Sequence, residues 1–230
     1  MRFPFEGFEF ELPFFTLLSG PMAAAKPLFA QKFIVRFLKG HSDYSVLYFA
    51  TSSPVCGILR NLRVFGLEEK EKERIIFLDY HSSCESLKET DANYYIGNFS
   101  DKAQLMESLK LADEGTIVIV PSFTLLLVGT EDKQGLAEVL VRNLLKKKAT
   151  SFVAVNSLMF EEINEMLAES ADNVLEFLKR GDSVRIRTRK FRGQAPEGEI
   201  PFKFPREMFQ STKKEVAERT ARIIREKKVM

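Results

Sequence analysis

Short apolar stretches that alternate with amphipathic helical stretches constrain the fold of this chain more than any other sequence feature. The clearest are residues 116–120 and 151–155, which are apolar at nearly every position. Strands buried on both faces of a parallel sheet have this composition, whereas half-exposed strands alternate apolar and polar residues. The alternation therefore predicts an α/β fold with three layers, in which helices cover both faces of a mostly parallel sheet.

The predicted elements change character about three quarters of the way along the chain. Strands are predicted at residues 14–18, 45–50, 74–78, 116–120 and 151–155, and helices at 27–39, 54–65, 101–111 and 132–148. Strands at 173–178 and 183–190, joined by a turn, then predict a C-terminal antiparallel β-hairpin, followed by a strand at 200–204. We expect one domain over residues 1–205 and an appended basic, charged helix over 206–230.

Composition excludes several classes of protein. The chain has 230 residues, 45% of them hydrophobic, which suits a packed α/β domain and argues against disorder. Its richness in Lys, Glu and Arg is common in proteins from hyperthermophiles. The N-terminus lacks the unbroken apolar run of a signal peptide, and the longest apolar stretch is too short to span a membrane. We expect a soluble, cytoplasmic protein.

The cysteines and histidines give no metal-binding pattern. Cys56 and Cys84 form no CxxC pair, and neither lies at a ligand-like spacing from His41 or His81. The sequence therefore predicts no metal site and two buried free thiols.

The turn after the first predicted strand carries an incomplete phosphate-binding loop. A working loop has a Gly, four residues, and then Gly-Lys-Ser/Thr between a strand and a helix. Gly20 and Lys26 stand at that spacing, but Ala25 replaces the second Gly and Pro27 replaces the hydroxyl residue that holds Mg²⁺. The Cβ of Ala25 crowds the phosphates, and Pro27 also removes an N–H donor. Two interpretations of Lys26 stay open: it is an exposed lysine at the start of a helix, or it is a group that still binds an anion.

The segments around this loop resemble KaiC-like members of the RecA superfamily. The resemblance runs through residues 17–21, 29–33, 39–40, 46–48, 58–61, 65–67, 171–176, 190–193 and 200–204. These segments follow the family's order over most of the chain, although each is degenerate. The chain is similar to archaeal proteins of this type that lack the Walker motifs, and the resemblance implies a RecA-like fold.

The resemblance also implies which catalytic residues are missing. KaiC-like ATPases carry two Glu residues after the second strand, where this chain has Ser52 and Ser53. They carry an Asp that supports Mg²⁺ after the strand at 116–120, where this chain has Pro121. Serine cannot act as a general base at neutral pH. The sequence therefore predicts a pseudo-ATPase that uses no cofactor.

Lys190 and Arg192 match the Lys-x-Arg element that KaiC-like hexamers insert into the nucleotide site of the neighbouring subunit. The resemblance implies a contact with another subunit, a protein partner or an anion. The alternative is that Arg185, Arg187 and Arg189 form the solvated face of a strand, because they alternate with smaller residues.

Six phenylalanines crowd the first fifteen residues. We expect them to cover an edge of the core, and a surface for a partner is the alternative. They are Phe3, Phe5, Phe8, Phe10, Phe14 and Phe15.

Three functions stay open from the sequence. The first is a non-catalytic scaffold or regulator that acts as a homo-oligomer or through a protein partner. The second is nucleic-acid association, because residues 179–192 carry seven basic residues against one acid and residues 213–228 carry seven against three. The third is a module that senses nucleotide through Lys26 without hydrolysing it. No membrane partner is expected.

Overall fold

A computed structural model describes residues 1–22, 24–205, 208, 217–218 and 221 of the protein. The strands are β1 (Arg2–Phe5), β2 (Phe8–Glu11), β3 (Phe15–Ser19), β4 (Ser45–Ala50), β5 (Ile75–Tyr80), β6 (Lys88–Asp91), β7 (Tyr94–Gly97), β8 (Thr116–Val120), β9 (Thr150–Ala154), β10 (Asn173–Arg180), β11 (Ser183–Lys190), β12 (Gly193–Gln194) and β13 (Glu199–Phe202). The helices are α1 (Lys26–Gly40), α2 (Val55–Val64), α3 (Glu69–Lys72), α4 (Lys102–Leu109), α5 (Phe123–Val128), α6 (Lys133–Lys147) and α7 (Glu161–Ser170).

Within the described residues, ten strands form one mixed sheet in the order β13-β11-β10-β3-β9-β8-β4-β5-β7-β6. The seven strands from β10 to β7 run parallel, while β11, β13 and β6 are antiparallel to their neighbours. The predicted mostly parallel sheet and the C-terminal hairpin of β10 and β11 are therefore confirmed.

Two apolar clusters on opposite faces of this sheet make the three layers. Alternate residues of one strand join different clusters: Val46 and Tyr48 pack with α1 and α2, whereas Leu47 and Phe49 pack with α4, α5, α6 and α7. Because both faces are covered, the central strands are buried at nearly every position, as their apolar composition predicts.

The phenylalanines of the N-terminal segment are buried within the chain. The hairpin of β1 and β2 lies over α1, where Phe3 stacks edge-on against Phe33 at 5.2 Å and Phe5 against Phe29 at 5.1 Å. The prediction that they cover an edge of the core is confirmed for the hairpin, which lies over α1, whereas Phe15 belongs to β3 and packs in the cluster on the other face of the sheet. All six phenylalanines are at most 8% exposed, which leaves no aromatic surface there for a partner.

Some sequence predictions need correction or lie outside the described residues. Cys56 is exposed and Cys84 is partly exposed, so the prediction of buried thiols is wrong. The buried side of α2 is formed by other residues, including Ile58 and Leu62. The predicted helix over 206–230 falls outside the described part of the chain except at positions 208, 217–218 and 221. No helix in the described part is long and apolar enough to cross a membrane.

Candidate functional site

The sequence-predicted positions meet at the edge of the sheet where the parallel strands end. Gly20 follows β3, Ser52 and Ser53 come shortly after β4, and Pro121 follows β8. The order β3-β9-β8-β4 places β8 about 10 Å and β4 about 14 Å from β3, at roughly 4.8 Å per strand. Ligands of parallel α/β sheets bind at this carboxyl edge, so it is the candidate site.

Gly20 is required here by packing. Its φ of +145° lies in the region that favours glycine, and a Cβ would stand 2.5 Å from the carbonyl oxygen of Phe177 in β10. Its own carbonyl accepts a hydrogen bond of 3.1 Å from the backbone N–H of Ser157. The sheet alone therefore accounts for this glycine, with or without a phosphate.

Lys26 is buried beneath the loop. The side-chain Nζ donates to the carbonyl oxygens of Gly20 at 2.6 Å and Pro21 at 2.7 Å, and the residue is only 6% exposed. The interpretation of an exposed helix-start lysine is therefore wrong. Burial lowers the pKa of Lys26 to about 7. An ammonium group has three donors, so the charged form keeps one donor for an anion.

The backbone of the loop keeps the shape that a glycine would favour. Ala25 adopts a left-handed conformation with φ 56° and ψ 18°, which costs a non-glycine residue about 1–2 kcal/mol. Its carbonyl accepts from Leu28 and Phe29, so α1 starts normally although Pro27 in its first turn has no N–H. At Pro27 the loop therefore has neither a backbone N–H nor a side-chain hydroxyl, while Ala25 has the left-handed backbone that favours glycine.

The ends of β4 and β8 present no carboxylate. Thr51, Ser52 and Ser53 are all at most 6% exposed, and Pro121 is buried. The Thr51 hydroxyl has no hydrogen-bond partner within the described part of the chain. Neutral hydroxyls can neither accept a proton from an attacking water at pH 7 nor balance the charge of Mg²⁺.

A titratable cluster one strand further along was missed by the sequence analysis. Asp79, near the end of β5, accepts a 2.7 Å hydrogen bond from the Tyr94 hydroxyl, and His81 Nε2 lies 3.4 Å from the same carboxylate. The predicted strand ended at residue 78, which left Asp79 outside it. β5 is four strands from β3, about 19 Å away, but it adjoins β4, so Asp79 lies opposite Ala50 and near the residues that follow β4.

Three arginines of the basic hairpin pair with two glutamates of their own sheet. Arg187 pairs with Glu176 at 2.6 Å, while Arg180 and Arg185 pair with Glu199 at 2.9 and 3.2 Å. Strand β11 buries its apolar residues and turns its arginines to the other face, as their alternation predicts. Three of the arginines that suggested nucleic-acid binding thus already have carboxylate partners.

Lys190 and Arg192 make contacts within the chain. Lys190 Nζ donates to the backbone oxygen of Glu169 at 3.1 Å. The Arg192 guanidinium contacts Asp172 at 3.0 Å and also donates to the backbone oxygens of Glu11 and Pro13. These bonds tie the N-terminal hairpin to the start of β10. A role of either residue in another subunit stays a prediction.

Among the described residues, no group of three or more His, Cys, Asp or Glu side chains is placed to hold a metal ion.

Comparisons with known proteins identify the fold. No family model matches the sequence, and no curated protein matches it. The structure is similar to that of a KaiC-like protein from the hyperthermophilic archaeon Pyrococcus horikoshii, with a TM-score of 0.61 and 16% identity over 86% of this chain and 88% of that one. It is also similar to the flagellar accessory protein FlaH from Methanocaldococcus jannaschii, with a TM-score of 0.61 and 14% identity over 84% of this chain and 86% of that one. The chain has the RecA-like fold of KaiC-like proteins.

Proposed function

We propose that this protein is a non-catalytic KaiC-like scaffold or regulator that acts by self-association or by binding a protein partner. The observation that carries the proposal is that buried Ser52, Ser53 and Pro121, and no carboxylates, follow β4 and β8. The carboxylate of Asp79 on the neighbouring strand β5 lies opposite Ala50 and accepts a hydrogen bond from the Tyr94 hydroxyl. The RecA-like fold around these positions supports a role that uses the scaffold without phosphoryl transfer.

The size of the expected catalytic loss supports a non-catalytic role. Removing one electrostatic contributor typically costs roughly 10²- to 10³-fold in rate. Phosphoryl transfer depends almost entirely on positioning and charge neutralisation. The Mg²⁺ hydroxyl, the Mg²⁺-supporting Asp and the water-activating Glu pair are three such contributors, which together amount to roughly 10⁶-fold or more if they act independently.

Calorimetry and a phosphate-release assay test the proposal directly. With Mg²⁺ and ATP we expect no turnover above the protein-free rate and no affinity tighter than about 1 mM. A Lys26→Met variant serves as the control, since contaminating ATPase activity would be equal in both preparations. Turnover that disappears in Lys26→Met would overturn the non-catalytic assignment.

Self-association is measured by light scattering on a sizing column over a range of protein concentrations. We expect a species larger than one chain, or a protein captured from the native host that elutes with it. A strict monomer that captures no protein would contradict the scaffold role.

Anion sensing is a second candidate, because Lys26 in its charged form keeps one unused donor. A bound polyphosphate would favour the ammonium over the amine, and the pKa of Lys26 lies at about 7. Binding should therefore be tighter at pH 6 than at pH 8, with protons taken up on binding. Calorimetry with tripolyphosphate at both pH values measures this, and equal affinity for wild type and Lys26→Met would exclude it.

Nucleic-acid association has weaker support, because the hairpin arginines already pair with Glu176 and Glu199. The remaining basic stretch, residues 213–228, lies almost wholly outside the described residues. Gel shifts at several salt concentrations test it, since phosphate contacts give a steep dependence of log affinity on log salt.

A further inference from the structure

The first turns of α6 and α7 enclose a groove of about 670 Å³. Its lining combines three apolar residues, Phe160, Ile163 and Met166, with polar and charged ones: Glu131, Asp132, Lys133, Gln134, Glu161 and Glu162. A groove that has both apolar side chains and four carboxylates suits a segment that combines aliphatic side chains with Lys and Arg.

The loop that leads into this groove holds an apolar residue out in solvent. Leu158 is 80% exposed, two residues before Phe160. The loop is fixed at both ends: the Asn156 N–H donates to the Thr124 hydroxyl at 2.8 Å, and the side chain of Asn164 donates to the Met159 carbonyl at 2.7 Å. A leucine presented on a constrained loop is pre-organised for a contact, because little further entropy is lost when a partner covers it.

The carboxylates of the groove are only partly explained by the helices. Acidic residues stabilise a helix N-terminus, which accounts for Glu161 and Glu162 in the first turn of α7. Glu131 precedes α6 and its N-cap, so this explanation does not cover it. Within the described part of the chain none of these three carboxylates has an ion pair, whereas the nearby Lys133 lies 5.8 Å from the ring of Phe160.

We propose that this groove binds the basic C-terminal segment, residues 206–230, of a second copy of the chain. The inference rests on the proposed function, since it names the surfaces through which the protein self-associates. The segment carries eight Lys and Arg residues against four Glu, with aliphatic residues at Val216, Ile223 and Ile224. The other basic stretch, the hairpin, has three arginines already paired with its own glutamates.

A second copy fits better than the same chain because of where the segment begins. Met208 is 5% exposed and belongs to the cluster that contains α1. The helices α6 and α7 lie on the opposite face of the sheet. The segment therefore starts on the face of its own subunit that is turned away from the groove.

A charge swap between full-length chains tests the inference. One variant carries Glu161→Lys and Glu162→Lys in the groove, and the other carries Lys227→Glu and Lys228→Glu in the terminal segment. We expect the wild type to self-associate in a way that weakens with salt, and each variant alone to self-associate at least tenfold more weakly. An equimolar mixture of the two variants should regain the association, as measured by light scattering.

The matched control carries Glu165→Lys and Glu169→Lys, which change the net charge equally on the same helix but outside the groove lining. It should self-associate like the wild type and gain nothing from the Lys227→Glu, Lys228→Glu chain. Thermal melts establish that every variant is folded. The groove is not the binding site if neither swap variant weakens self-association, or if the mixture fails to regain it. Either result leaves the proposed function standing. A wild type that is monomeric throughout overturns the groove as well.

Discussion

The loop between β3 and α1 and the loops after β4 and β8 differ in how much of the phosphate-site pattern they contain. The first keeps its glycine, its lysine and its left-handed turn at Ala25. The other two keep no acidic group, and they are filled by small buried residues such as Ser52 and Pro121.

The difference follows from what each group does besides catalysis. Gly20 is needed for close packing on β10, and Lys26 binds two carbonyls of its own loop. A carboxylate at the end of β4 or β8 would be a buried charge with no metal and no cation to pair with, which costs several kcal/mol. If the protein binds no nucleotide, as we propose, packing on β10 is enough to account for Gly20, and the cost of an unpaired buried charge is enough to account for the absence of acids after β4 and β8.

The largest expected effect concerns the buried charge of Lys26. Its pKa is lowered to about 7 from the ordinary value of 10.5, so between these pH values the unfolded chain holds a proton that the folded chain has lost. Stability therefore rises with pH across this window, and the full cost of burying the charge is present below pH 7. The unfolding free energy of the wild type should therefore rise relative to that of Lys26→Met by up to about 5 kcal/mol between pH 6 and pH 10.5. Chemical denaturation of both proteins at several pH values measures this difference. A difference that is constant with pH would mean that the amine stays charged in the folded protein.

Gly20→Ala should be the next most damaging change. The new Cβ meets the Phe177 carbonyl at 2.5 Å, and the residue must also hold a positive φ. Overpacking and backbone strain together should cost roughly 3–5 kcal/mol of unfolding free energy. Gly198→Ala is the matched control, since its φ is also positive but no atom lies within 4 Å of the new Cβ. Similar losses in the two variants would show that strain alone, without the packing on β10, makes the glycine necessary.

Arg192→Ala separates an intrachain role from a role between subunits. Its guanidinium contacts Asp172 and two backbone oxygens but is 44% exposed, so we expect a loss of about 1–2 kcal/mol in unfolding free energy. Arg189→Ala, at the exposed second-to-last position of β11, should be nearly neutral. If Arg192 acts only within the chain, light scattering will give the same oligomeric state for the variant and the wild type.

The fold was predictable because its elements are strongly patterned. The strands at Ser45–Ala50, Thr116–Val120 and Ser183–Lys190 were predicted with the bounds observed, since each is bordered by clear turn or helix signals. The hairpin of β6 and β7 was missed because β6 is exposed at every residue and has no apolar alternation. Helix α5 was missed because it is apolar on nearly all sides, which removes the helical period.

For the candidate site, the sequence predicted only which residues of the phosphate-site pattern are absent. The spacing of Gly20 and Lys26 located the loop, but no local pattern indicates that the amine of Lys26 is buried or that Gly20 contacts Phe177. The groove between α6 and α7 could not be predicted from the sequence either. Its lining comes from two helix starts about thirty residues apart, and only the packing of the helices brings them together.

The smallest expected effect on stability belongs to the repair of the loop. Ala25→Gly relieves a left-handed strain of about 1–2 kcal/mol, while the greater freedom of glycine in the unfolded chain returns about 0.4–1 kcal/mol. The loss of a methyl group from Ala25, which is only 4% exposed, offsets most of the remainder, so the net change in unfolding free energy should stay within about 1 kcal/mol.

The double variant Ala25→Gly, Pro27→Ser supplies the second glycine, the missing N–H and the Mg²⁺-binding hydroxyl on a loop whose backbone path is already right. Calorimetry should then detect ATP binding that requires Mg²⁺ and is at least tenfold tighter than in the wild type, with hydrolysis still absent because β4 and β8 end without a carboxylate. ATP binding no tighter than in the wild type would mean that the loop has lost more than its two substituted side chains, and the contrast between the two regions would no longer hold.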